Sequence, residues 1–235
     1  MIRKITIVLA TALLFSQANA SSIGVNSVGV KLGSQEFGFD ITQNGANADV
    51  SGSAFAYEIS GNYNLLSAEE EKSFGLDAGL RYQGSSDISI AGDDLEFTFF
   101  EGGLRPYLSL SGFILFADLG FSYVKAEATS GGASASVSET SFAPGLGAQI
   151  NFEKLNVRPS LHWLSYADDA FSSNYDLADF VSLTIPVSYS YNDSIDISFS
   201  YRHLFGTEFS YSDGANSFSI EPYTNEYLIG LDYKF

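Results

Sequence analysis

His162 and His203 are the only two imidazoles in the 235 residues, so histidine-based acid–base chemistry would have to start from one of them. Around the first, the stretch LHWLSYADD adds Ser165, Asp168 and Asp169, the residue types of a nucleophile, base and acid set. On an extended strand, side chains three positions apart point to opposite faces, so His162 and Ser165 would not meet. His203 falls in SYRHLF, in phase with Tyr201 and Phe205, where an interfacial histidine is ordinary. The chain has no cysteine, which removes thiol nucleophiles, disulfides and thiolate metal sites. These residues assign no catalytic group, cofactor site or metal centre, and enzymatic activity is not expected.

A larger set of ionisable residues recurs at alternate positions of long extended segments. Glu58, Asp77, Arg81, Glu101, Arg105, Asp118, Arg158, His162, Asp196, Arg202, Asp232 and Lys234 all fall on the polar parity of their strands. If those strands close around an interior, opposite charges face one another there. Neighbouring segments place Asp77 and Arg81 beside Glu101 and Arg105, and Asp196 and Arg202 beside Asp232 and Lys234. Such groups can pair and fill a narrow lumen, or they can line an ion path. The packed polar interior is the expectation, because eight strands leave a space that side chains just fill and ten widen it modestly. Gly75, Gly79, Gly103, Gly145 and Gly147 share that face and leave room for long neighbours.

The elements that position these residues are strands. FILFADLGFSYVKAEA puts Phe113, Leu115, Ala117, Leu119, Phe121 and Tyr123 on one face and Asp118, Gly120 and Ser122 on the other. VSLTIPVSYSY and IDISFSYRHLF repeat the period of two. Turn signals fall into two interleaved series. One comprises Asn44-Gly45, Gly92-Asp93-Asp94, Gly131-Gly132, Ser172-Ser173-Asn174 and Asp213-Gly214; the other comprises Glu69-Glu70-Glu71, Ser111-Gly112, Glu153-Lys154 and Asn192-Asp193. Nine turns separate ten strands. Each has about 15 to 20 residues available, where globular strands run about 5 to 6 and tilted membrane strands need about 9 to 11. The fold class is therefore all-β: a closed antiparallel up-and-down transmembrane barrel of ten strands, with eight as the alternative.

At the start of the chain, Arg3 and Lys4 precede an apolar run over 5–15, and Ala18-Asn19-Ala20 supplies a small-residue cleavage signal. This reads as a secretory leader over 1–20, cleaved after Ala20, followed by one barrel domain over 21–235. Removing Arg3 and Lys4 from 11 basic and 28 acidic residues leaves 9 − 28 = −19. A nucleic-acid partner is excluded by that balance, since backbone binding needs clustered Lys and Arg.

The last residues, YLIGLDYKF, keep strand alternation to the end: Tyr227, Ile229, Leu231, Tyr233 and Phe235 share one face. In a closed barrel the final strand pairs with the first, so a chain can stop inside a strand without leaving an edge. An exported, cysteine-free chain ending this way resembles the small outer-membrane β-barrel proteins of Gram-negative bacteria. SYRHLF and NEYLIGLDYKF are similar to the last two strands of the OmpA-type and opacity-type porin-like superfamily. GLGAQINFEKLNVRPSLHW resembles the hairpin before them. The resemblance implies an outer-membrane location and eight strands. It also implies that Tyr233 and Phe235 form an assembly signal read by the outer-membrane assembly machinery. The His-x-Ser of lipid A deacylase barrels is missing, because Leu204 and Phe205 follow His203.

A structural or surface-interaction role is expected, with a small porin as the alternative and an outer-rim lipid or peptide hydrolase behind it. Outer-membrane lipids and lipopolysaccharide are the expected surroundings. Asp93, Asp94, Glu96, Asp168, Asp169, Asp176 and Asp179 would make an acidic rim able to bridge divalent cations to lipopolysaccharide phosphates.

Overall fold

The structure is a computed structural model that describes residues 22–43, 46–68, 73–90, 93–130, 133–164, 180–205, 209–212 and 217–235. The leader expected over 1–20 lies outside the described residues. So do Asn44-Gly45, Glu69 to Glu71, Gly92, Gly131-Gly132, Ser165, Asp168, Asp169, Ser172 to Asn174, Asp176, Asp179 and Asp213-Gly214.

Among the described residues, alternating apolar and polar side chains make thirteen strands: β1 (Ser27–Gln43), β2 (Ala46–Leu66), β3 (Phe74–Ser85), β4 (Ile88–Ile90), β5 (Asp93–Leu110), β6 (Phe113–Ser130), β7 (Ala133–Phe152), β8 (Leu155–Val157), β9 (Ser160–Leu164), β10 (Phe180–Ser190), β11 (Ile195–Phe205), β12 (Phe209–Ser212) and β13 (Ser217–Lys234). Three pairs share a stave of the wall: β4 follows β3 alongside β5, β8 and β9 both lie between β7 and β10, and β12 follows β11 alongside β13. The result is a closed antiparallel barrel of ten staves. Ten matches the interleaved turns and departs from the eight implied by family resemblance.

Closure is made by β1 and β13, paired from Ser27↔Lys234 to Gln43↔Phe218. The penultimate lysine therefore lies inside a fully paired ladder, and Phe235 N–H donates to the carbonyl of Asn26 at 3.1 Å. Tight turns define the termini end of the barrel, where β1 begins and β13 ends. Gly112 takes φ +82° in the β6 turn, Glu153 takes φ +48° before β8, and Ser194 N–H donates to Asn192 Oδ1 at 2.9 Å before β11.

The two faces of the wall are chemically opposite to those of a soluble sandwich. Val28, Val30, Leu32, Phe55, Ile59, Leu80, Leu104, Leu119, Leu146, Ile229 and Leu231 are exposed on the outside. Aromatic residues edge this apolar band. Tyr57–Tyr82, Phe100–Phe121 and Tyr201–Tyr227 pair at its far edge, and Tyr233–Phe235 stack at the termini end, with ring centroids 5.2 to 6.4 Å apart. That is the pattern of a lipid-facing wall. No helix among the described residues is long and apolar enough to cross a membrane, and the crossing elements are strands. Strands β10 and β11 run 11 residues, close to a bare crossing. β2, β6 and β7 run 21, 18 and 20 residues and continue beyond the band.

Candidate functional site: the barrel lumen

Inward-facing residues form three layers along the barrel. At the termini end, Ser22–Asn26 folds into the mouth, and Ile23 is buried against Tyr107 and Phe116. The middle layer is ionic. At the far end lies an apolar layer of Phe37, Phe39, Phe97, Phe99, Ile88, Ala54 and Ala56. Its rings meet at centroid distances of 4.9 Å for Phe37–Phe39, 5.8 Å for Phe37–Phe97 and 6.5 Å for Phe97–Phe99.

Of the twelve ionisable residues placed on the polar parity, Glu58, Asp77, Arg81, Glu101, Arg105, Asp118, Arg158, His162, Asp196, Arg202 and Asp232 are buried, and Lys234 is half-buried. Arg81, 1% exposed, sits between Glu101 at 2.9 Å and Glu58 at 3.3 Å. Glu58 also accepts from Lys31 Nζ at 2.8 Å. Arg202 reaches Glu226 at 3.5 Å, and Gln83 donates to the other oxygen of the same carboxylate. Lower down, Arg105 donates to Asp118 at 2.7 Å and lies over the Phe116 ring, 5.0 Å from its centroid. Lys234 contacts Asp196 at 2.7 Å. Charges taken out of water are held here by opposite charges and hydrogen bonds, which is the condition for tolerating them at all.

Two expected pairings are corrected. Asp77 stands across from Arg105 in the strand register but is not its partner. Arg105 turns to the neighbouring β6 and binds Asp118, while Asp77 accepts from Gly24 N–H at 2.9 Å, Asn62 Nδ2 at 3.1 Å and Asn64 Nδ2 at 2.8 Å. The partner of Arg202 is Glu226 rather than Asp232 or Lys234, because Arg202↔Glu226 is the register pair and Asp196 faces Asp232. Lys31, Gln35, Gln83 and Glu226 were missed in the sequence. Gln83 lies in phase with Arg81 and Glu226 with Asp232 on their own strands, and Lys31 and Gln35 share the parity opposite to Val28, Val30 and Leu32, so strict extension of the alternation reaches all four.

The histidines take separate places. His162 Nε2 lies 3.0 Å from Asp118 Oδ2 inside the lumen, and an added Cβ at Gly145 would come within 2.2 Å of the ring. His203 is on the outer face, with Nδ1 2.8 Å from Asn225 Oδ1. Gly75 likewise leaves its space to the Tyr107 ring and Gly147 to Phe116. Among the described residues, no three His, Asp or Glu side chains converge to hold a metal ion.

The profile of the outer membrane protein beta-barrel domain matches residues 6–190. No curated protein sequence matches the chain. Among solved structures, the chain is similar to the transport unit of the autotransporter AIDA-I from Escherichia coli. The two share 12% identity over 99% of this chain and 97% of that one, with a TM-score of 0.55, a likeness of fold alone. The attachment invasion locus protein Ail of Yersinia pestis matches at 14% identity, 90% and 99% coverage and a TM-score of 0.35. Neisserial surface protein A matches at 13% identity, 88% and 97% coverage and a TM-score of 0.37.

Proposed function

Since this chain belongs to the outer membrane protein beta-barrel domain family, we propose that it is an integral outer-membrane protein whose role is structural or surface-interactive, with a lumen closed to steady conduction. The observation that carries this reading is the ionic layer: Lys31, Glu58, Arg81 and Glu101 are each at most 3% exposed and bonded to one another across three adjacent staves and the seam strand. A water-filled pore would leave such groups wet. Their enclosure between an apolar layer and the folded-in N-terminal segment supports a filled interior.

In this reading the termini end faces the periplasm, after cleavage of the leader following Ala20. The extensions of β2, β6 and β7 project from the cell surface and carry the interaction role, and lipopolysaccharide surrounds the far aromatic edge. Divalent cations at the acidic rim belong to the same proposal; Asp93, Asp94 and Glu96 of that rim lie on β5. Catalysis is not part of it.

The test is electrical. The barrel beginning at Ser21, refolded into a planar lipid bilayer, should give no steady current at any applied potential. A steady, ohmic conductance would replace this reading with a small porin.

A further inference from the structure

The outer wall carries one rung that breaks the apolar rule. On β11 and β13 the outward register pairs run Tyr201↔Tyr227, His203↔Asn225 and Phe205↔Tyr223, and β1 adds Glu36 across from Asn225. Three polar side chains thus lie side by side on three neighbouring staves, with an aromatic pair on either side of them. Tyr201 and Tyr227 mark the far edge of the lipid-facing band, with ring centroids 5.2 Å apart, and the polar rung stands beyond them along each strand. That is the level at which acyl chains give way to headgroups.

The rung is bonded into a fixed arrangement. Asn225 Nδ2 donates to Glu36 Oε2 at 3.4 Å, which turns Oδ1 of the same amide toward β11. There Oδ1 accepts from Tyr201 Oη at 3.3 Å and from His203 Nδ1 at 2.8 Å. An amide oxygen only accepts, so Nδ1 of His203 carries the hydrogen and Nε2 of the neutral ring holds a lone pair. The His203 ring stands edge-on to Phe205, 4.5 Å between centroids. Tyr223 is drawn the other way. Its ring lies over Gly38, where an added Cβ would collide with it, and its hydroxyl donates to Asp49 on β2 at 3.3 Å. The result is a polar floor framed by half-buried and exposed rings.

The chemistry of this floor selects its ligand. The Glu36 carboxylate and His203 Nε2 are both acceptors. The Lys and Arg side chains of β1, β2, β11 and β13 are Lys31, Arg202 and Lys234, and all three face the lumen. A phosphate would therefore meet a carboxylate here and no ammonium or guanidinium. A sugar fits: its hydroxyls donate to carboxylate and imidazole, and its C–H faces pack on aromatic rings.

We propose that the outer face of β11, β13 and β1 is a binding site for the sugar headgroup of a glycolipid in the outer leaflet. Glu36, Asn225 and His203 bond its hydroxyls, and Tyr201, Tyr227 and Phe205 receive its ring faces. The site rests on the orientation proposed above, in which the far aromatic edge lies at the cell surface among lipopolysaccharide; it adds that this face holds a sugar rather than a phosphate.

The experiment uses the barrel beginning at Ser21, refolded in detergent micelles and read by native mass spectrometry for the fraction carrying one lipid. The probes are purified lipid A, lipid A stripped of its phosphates, and phosphatidylglycerol, which carries a phosphate without a sugar. The two glycolipids should be retained alike, and phosphatidylglycerol about tenfold more weakly, the worth of one hydrogen bond to a charged group. Asn225→Leu unhooks both neighbours, and Glu36→Lys exchanges the acceptor for a cation. Each should weaken both glycolipids about tenfold on the same reasoning, with a heat-shift gel reporting that the barrel is folded. Retention that disappears with the phosphates, or that Glu36→Lys strengthens, overturns the sugar site in favour of an anion site. Equal retention of all three lipids, or unchanged retention in folded variants, overturns it as well. Should neither variant fold, the three probes on the parent decide. Orientation is read separately, from Ala46→Cys and an impermeant maleimide on intact cells. Labelling without glycolipid retention sinks the site alone; no labelling sinks the orientation and the site with it.

Discussion

Asp118 is shared by Arg105 at 2.7 Å and His162 at 3.0 Å, and Arg105 is also stacked over Phe116. Removing the guanidinium strips the carboxylate of its strongest partner in a site closed to bulk water. Breaking a buried pair from one side costs about 3 to 5 kcal/mol, because the remaining charge is left uncompensated. Arg105→Ala should therefore lower the temperature at which the barrel unfolds on a heat-shift gel, with no steady current in a bilayer. An unchanged unfolding temperature together with a new conductance would mean that Arg105 holds back ions rather than holds the wall.

The strands are amphipathic in a sense set by lipid, and the two ends of one face differ. Ile229, on β13 within the apolar band, is exposed on the outside. Ser53, on β2, is exposed on the extension beyond the Phe55 edge of that band. An arginine on the lipid face near the bilayer midplane costs about 2 to 4 kcal/mol, falling toward zero near the interface. Ile229→Arg should thus reduce the urea midpoint for unfolding from lipid vesicles, and Ser53→Arg should leave it nearly unaltered. Equal losses at the two positions would show that the band does not end where the aromatic pairs mark it.

For the whole molecule, closure of β1 on β13 puts Ser27 and Lys234 at one end of the barrel and Gln43 and Ala46 at the other. A cysteine at Ala46 should react with a membrane-impermeant maleimide on intact cells, and one at Ala68 should react only after the outer membrane is opened. Reversal of that pattern would invert the orientation. Phe235 is exposed, 6.4 Å by ring centroid from Tyr233, so it contributes little to packing. Its loss should remove at most the roughly 1.5 to 3 kcal/mol of a fully buried side chain. If Phe235 is the assembly signal, the chain lacking it should fail to insert in cells yet refold into detergent like the parent. Normal insertion with failed refolding would make the terminal ring a packing element.

The barrel, its ten staves and the parity of the lumen were legible in the chain alone, because strand alternation and turn chemistry are local and leave their period in the residues. The alternation also placed Glu58, Asp77, Arg81 and their companions on the inner face. What it could not determine was who meets whom. Arg105 and Asp77 are register partners, yet long side chains in a curved wall reach past the nearest neighbour to Asp118 on the next stave. The apolar layer of Phe37 and Phe97 breaks the polar rule on its own parity and becomes legible only when β1 and β5 face a common interior. The course of Ser22–Asn26 into the mouth was illegible for the same reason. Ser22–Asn26 has no period, and its seat on Asp77, Asn62 and Gln149 exists only once closure sets β7 opposite β1 across the mouth.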